Sequence, residues 1–133
     1  MKIEHIAIWT AHLETLKEFY ICYFGGQAGP MYHNLKKQFQ SYFLTFGTGA
    51  RLEIMTAPSI PGNKNDSIVS QHQGIIHFAF EVSSMQEVDD KARELSDAGV
   101  QILDGPRTTG DGYYEFVTLD PDNNRLEVTT KAV

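Results

Sequence analysis

Two pairs of strand-like segments, separated by 72 and 74 residues, repeat almost the same residues along this chain. Ile3-Glu4-His5-Ile6-Ala7-Ile8 matches Ile75-Ile76-His77-Phe78-Ala79-Phe80, and Arg51-Leu52-Glu53-Ile54 matches Arg125-Leu126-Glu127-Val128. Two matches at nearly equal offsets indicate an internal duplication, so both halves must fold into the same supersecondary unit. The length of 133 residues suits one domain's worth of core or two fused half-size modules.

The order of elements follows from periodicity and punctuation. Ile3 to Trp9 reads as a strand. Leu13, Leu16, Tyr20 and Tyr23 then recur at helical spacing until Gly25-Gly26 ends the pattern. Extended runs follow at Gln27 to His33, Phe39 to Phe46 and, after the turn Gly47-Thr48-Gly49, Arg51 to Thr56. From Gly74 the order recurs. Ile75 to Val82 is a strand, and Ser84 with Glu87 forms a capping box before the helical positions Val88, Ala92 and Leu95, with Gly99 as the stop. Val100 to Leu103, Tyr113 to Leu119 and Arg125 to Thr130 are the remaining strands, the last preceded by a tight turn over Asp120 to Asn124. The chain is thus expected to be one domain of two βαβββ modules, 1–56 and 74–133, joined by a linker at 57–73 rich in Pro, Gly, Asn and Ser.

Composition narrows the partners. Hydrophobic residues make up 41%, a globular value that excludes disorder. Eleven cationic side chains against seventeen carboxylates leave a net charge of −6, and no basic stretch tracks a phosphate backbone, so nucleic acid is not an expected partner. Nor is a membrane. The lone cysteine, Cys22, cannot form an internal disulfide and the N-terminal segment lacks a signal pattern, which points to a reducing, cytoplasmic setting.

Side chains alternate across a strand. His5 therefore lies opposite Ile6 and Ile8, and His77 opposite Phe78 and Phe80. By the same parity Glu53 and Glu127 lie opposite their apolar neighbours Leu52, Ile54, Leu126 and Val128. Each module thus turns one imidazole and one carboxylate away from its helix-packed face. A mid-strand carboxylate without water needs a cation. Two imidazoles and two carboxylates make an N2O2 set suited to a divalent Zn, Ni or Co, with Fe or Mn also compatible, and a six-coordinate ion keeps two positions for substrate oxygens.

These residues resemble the vicinal oxygen chelate superfamily, which includes glyoxalase I, extradiol dioxygenases and bleomycin resistance proteins. The marks are the opening IEHIAIW, the helix ending FYICYFGG, the strand RLEIM, GIIHFAFEV and the closing LDPDNNRLEV. The resemblance implies an α+β fold in which the two modules form a curved mixed sheet around a metal cleft. It implies His5, Glu53, His77 and Glu127 as metal ligands, in the four-ligand version of short bacterial glyoxalase I. The implied activity is isomerisation of the hemithioacetal of a 2-oxoaldehyde and a small thiol, with Glu127 and Glu53 moving the proton, in a homodimer whose site is shared between subunits. Ile54-Met55-Thr56-Ala57-Pro58 departs from the asparagine-containing run that holds glutathione in that family, and Glu53 stands where methylmalonyl-CoA epimerases carry glutamine. Alternatives on the same scaffold are a metal-free or metal-storing binder that sequesters a small drug and an Fe(II) dioxygenase that leaves Glu53 idle.

Arg51 and Arg125 precede the glutamates by two positions on the same face and are candidates for binding a substrate carboxylate; Trp9 shares the His5 face and is a candidate pocket wall. Cys22, set among aromatic residues, is expected to be shielded. The segment Arg107 to Gly112 reads either as a flap over a cavity or as a plain hairpin loop.

Overall fold

The computed structural model describes all residues 1–133. The chain divides into two compact units, Met1–Asn63 and Lys64–Val133. In the first, β1 (His5–Trp9) leads into α1 (Leu13–Phe24), followed by β2 (Gln27–Ala28), β3 (Tyr32–Asn34), β4 (Phe39–Thr45) and β5 (Arg51–Thr56). The sheet order is β1-β5-β4-β2, with β3 also paired to β4, so β1 forms one edge and runs parallel to β5. The second unit contains β6 (His77–Glu81), α2 (Met85–Asp97), β7 (Ile102–Thr108), β8 (Tyr113–Leu119) and β9 (Arg125–Lys131), in the order β6-β9-β8-β7 with β6 parallel to β9. The α+β class and the two similar modules follow the duplication. No helix is long and apolar enough to cross a membrane.

Each helix forms because one stripe of it is apolar. In α1, Leu13, Leu16, Phe19 and Tyr20 are buried, in the same core as Tyr42, Leu44, Leu52 and Ile54 from β4 and β5. The helix stops where Gly25 takes a left-handed φ of 68°, and the Gly26 amide donates to the Tyr20 carbonyl at 3.1 Å. In α2, Val88, Ala92 and Leu95 are buried in the core that holds Phe116, Leu126 and Val128. Ser84 Oγ accepts from the Glu87 amide at 3.2 Å, and the Glu87 carboxylate accepts from the Ser83 amide at 3.0 Å, which confirms the capping signal. Each large apolar side chain buried in this way contributes about 1.5–3 kcal/mol over leaving it in water.

Four expectations need correction. The run from Gln27 to His33 is two strands, because Pro30 has no amide proton to offer the ladder; Gly29 keeps contact by donating to the Phe43 carbonyl at 3.0 Å. The strand expected at Val100 to Leu103 is β7, shifted and extended to Thr108 through register shifts between Ile102 and Asp104 and between Asp104 and Arg107. Arg107 and Thr108 therefore lie in the sheet rather than in a flap. The rest of that segment is a tight hairpin turn, closed by the Thr109 amide donating to the Tyr113 carbonyl at 2.8 Å. Cys22 is exposed, not shielded, because its helix position lies off the apolar stripe.

The linker is also less idle than its composition suggests. Its second half belongs to the second unit, where Asp66 Oδ1 accepts from the amides of Ile68 and Val69 at 3.0 and 3.1 Å.

Gly105 is the one glycine that the sheet cannot replace. Its φ is +81°, and a Cβ there would lie 2.5 Å from the backbone oxygen of Glu115 on β8. We expect Gly105→Ala to lower the unfolding free energy by about 2 kcal/mol or more in urea titrations. Gly62→Ala, in open space, should stay within about 0.5 kcal/mol of the parent.

Candidate metal centre

The two units present their His and Glu side chains through the same strand register. In the β1–β5 pair, His5 is opposite Arg51 and Ala7 is opposite Glu53; in the β6–β9 pair, His77 is opposite Arg125 and Ala79 is opposite Glu127. The glutamates alternate with Leu52, Ile54, Leu126 and Val128, all at 3% exposure or less, so each carboxylate lies on the sheet face away from the helix. An alanine beside each glutamate on the neighbouring strand leaves that carboxylate room.

In the second unit the pair is in contact. His77 Nε2 lies 3.2 Å from Glu127 Oε2, with Glu127 only 16% exposed at its side chain. Two cis ligands of one first-row ion, each at about 2.0–2.2 Å, sit about 3 Å apart, so this pair has the donor types and spacing for two adjacent coordination positions. Glu127's carboxyl is raised above the usual range, chiefly by burial; the nearby Glu115 and Asp111 add to this, while His77 and Arg107 oppose it.

The first unit is arranged differently. His5 and Glu53 share a face, but His5 Nδ1 pairs with Glu4 Oε2, and Glu4 Oε1 accepts from Arg51 Nη2. The His5 hydrogen bond is the main cause of a lowered Glu4 carboxyl, and Arg51 adds to it. The Phe43 ring, opposite Glu53 in the register, meets His5 edge-on at 5.4 Å and lies under the Arg51 guanidinium at 4.0 Å. Within one chain no three His, Cys, Asp or Glu side chains are arranged to hold an ion. Each unit supplies one imidazole and one carboxylate.

The other sequence candidates fall as follows. Arg125 donates to the carbonyls of Ser67 and Ile68, at 2.5 Å from Nε and 3.4 Å from Nη2, and so holds the linker's second half on its own unit. Trp9 stays 43% exposed and meets Phe39 edge-on at 5.9 Å, and Phe39 also meets Tyr32 at 6.0 Å. An aromatic strip therefore crosses the His5 and Glu53 face. His33 lies on β3, His12 at the N-cap of α1 and His72 in the linker.

Three side chains near the pairs carry no repeat signature. Glu4 is one. Glu115 is opposite Thr129, whose hydroxyl donates to its Oε2 at 3.1 Å, and Arg107 is opposite Glu115 and bonds Asp104 Oδ2 at 2.7 Å. The available signal for Glu115 was parity, since it is the single acid in the strand Tyr113–Leu119. Arg107 gave none, because the register shifts that turn it to this face are not written in any spacing.

Glu127 also makes a test of pH linkage. A raised folded-state carboxyl contributes stability that is complete below the unfolded value near 4.5 and is lost as pH rises through the folded value. In metal-free protein, Glu127→Gln should therefore be more stable than the parent at pH 7, and the difference should vanish below about pH 4 in urea titrations run across that range.

Comparison with known proteins gives the frame for these pairs. The family described as "Glyoxalase/Bleomycin resistance protein/Dioxygenase superfamily" matches residues 2–128. The chain is similar to a glyoxalase family protein from Enterococcus faecalis, with 25% identity, a TM-score of 0.76 and 97% of each chain covered. It also shares its fold with the trypanothione-dependent glyoxalase I of Leishmania major, at 19% identity, a TM-score of 0.76 and coverage of 96% of this chain and 85% of that one. A glyoxylase/bleomycin resistance protein/dioxygenase domain from Frankia gives 15% identity and a TM-score of 0.80, with 98% of each chain covered. No curated protein matches. With its duplicated modules and a family match over nearly its whole length, the chain belongs to the glyoxalase/bleomycin resistance/dioxygenase superfamily, also called the vicinal oxygen chelate superfamily.

Proposed function

We propose that the protein is a metal-dependent isomerase of the glyoxalase I kind, acting on the hemithioacetal of a 2-oxoaldehyde and a small thiol in a reducing, cytoplasmic setting. The observation that carries this reading is the repeated register that turns His5 and Glu53, and His77 and Glu127, to the same face of their sheets. These four residues would hold one divalent ion, with Zn, Ni or Co favoured. Each unit supplies one imidazole and one carboxylate, and a homodimer would complete the set, the first unit of one copy meeting the second unit of the other.

A bound ion supplies Lewis-acid stabilisation of charge on two vicinal substrate oxygens. The chain's own groups do the rest. Glu127 takes the proton from the thiol-bearing carbon and Glu53 returns one to the neighbouring carbon, so the product is the thioester of a 2-hydroxy acid and no atoms are gained or lost. The alanines at 7 and 79 leave space beside the carboxylates. The strip of exposed Trp9 and Tyr32 with half-buried Phe39 between them gives an apolar part of the substrate a wall to rest on. That same strip favours a second reading, a binder that sequesters an aromatic drug without metal.

The two readings separate in the same experiment. Protein loaded with Ni, Co or Zn is assayed for loss of hemithioacetal formed from methylglyoxal and each of several thiols. Turnover is expected, with Glu127→Gln and Glu53→Gln each lowering kcat/KM by about 100-fold or more. No turnover with any thiol, together with no stoichiometric metal, would discard the isomerase in favour of the binder.

A further inference from the structure

We propose that Glu4 is a positioning residue that sets which nitrogen of His5 is offered as a ligand, with Arg51 holding Glu4 in place. This rests on the metal-binding reading above. An ionised carboxylate only accepts hydrogen bonds, so the contact between Glu4 Oε2 and His5 Nδ1 places the imidazole proton on Nδ1 and leaves the lone pair on Nε2. His77 faces Glu127 through the same atom, Nε2.

The local structure explains how a residue adjacent in sequence can do this. β1 begins at His5 and forms an edge of its sheet, so residue 4 lies outside the pleat and its side chain is free to bend back. Its backbone is held by the Arg51 amide, which donates to the Glu4 carbonyl at 2.8 Å. The Arg51 guanidinium bonds Glu4 Oε1 while it rests on the Phe43 ring, and that ring also meets His5 edge-on. Glu4, His5, Arg51 and Phe43 thus form a closed set of contacts.

The duplicated unit serves as an internal control. Ile76 stands where Glu4 stands, and Val117 faces Glu127 where Phe43 faces Glu53. Arg125, the counterpart of Arg51, is bonded to the carbonyls of Ser67 and Ile68. The positioning device exists in one half only, so it is an addition to the shared scaffold and not a by-product of the fold. A carboxylate behind a ligating imidazole fixes its tautomer and raises its basicity, and its loss typically costs about 10–100-fold in metal affinity. In this arrangement Arg51 acts through Glu4 and not on a substrate carboxylate.

The test uses the full chain and two readouts, neither of them turnover. Zn affinity is measured by competition with a chromophoric chelator, and the His5 tautomer by nitrogen-15 correlation spectra of the metal-free protein. Glu4→Ala should bind Zn about 10–100-fold more weakly and lose the Nδ1–H form of His5. Glu4→Gln, whose amide oxygen still accepts, should keep that tautomer and lose less affinity. Glu4→Ala with affinity within twofold of the parent, or with the Nδ1–H form retained, would overturn the role of Glu4 alone, provided His5→Ala still weakens binding. Affinity unchanged in both His5→Ala and His77→Ala would overturn the metal reading itself, and the inference with it.

Discussion

The parallel pairing of the first and last strands in each unit is the constraint on which the candidate centre depends. In both pairs an alanine sits opposite the glutamate, and the histidine lies two residues earlier on the edge strand. A slip of one residue would carry the carboxylate to the helix-packed face and put a leucine or isoleucine in water. The apolar residues that alternate with the glutamates therefore also hold them in place. Leu52, Ile54, Leu126 and Val128 resist any such slip because each is almost fully buried.

On this shared frame the two halves have diverged in the chemistry around their pairs. The first surrounds its pair with aromatic rings and ties its imidazole to a carboxylate and a guanidinium. The second gathers charge: burial first, then Glu115 and Asp111, push the Glu127 carboxyl up, and His77 and Arg107 work against them. Burying such a carboxylate beside other acids is unfavourable for the metal-free fold. Perturbed carboxyl groups of this kind cluster at functional sites. The fold alone does not choose among isomerase, oxygenase and binder, since the superfamily scaffold serves all of these.

Much of this was legible from the residues in order. The repeat of His-x-Ala and Arg-x-Glu marked the duplication, and two-residue parity placed all four side chains on one kind of face. Ser84, Glu87, Gly25 and Gly99 marked the helix limits, since capping and left-handed stops depend only on near neighbours. The division of the strand at Pro30 was also local chemistry, but its effect appeared only with β4 beside it, because a missing amide matters only where a ladder would have used it. The extent of β7 was less accessible. Its register shifts bring Arg107 opposite Glu115 through pairing with β8, a contact between residues far apart in spacing and unmarked in either segment.

Taken by itself, the amino-acid order determined the repeated units, the face on which each histidine and glutamate lies, and the ends of the helices, because periodicity and caps act over a few residues. Tertiary structure decided what those side chains touch. It bent Glu4 around a sheet edge to His5, assigned Arg51 to Glu4 and Arg125 to the linker carbonyls, and left Cys22 in water. Those outcomes depend on which strands become neighbours and where an edge falls, and such contacts are settled by the packing of distant segments rather than by local sequence.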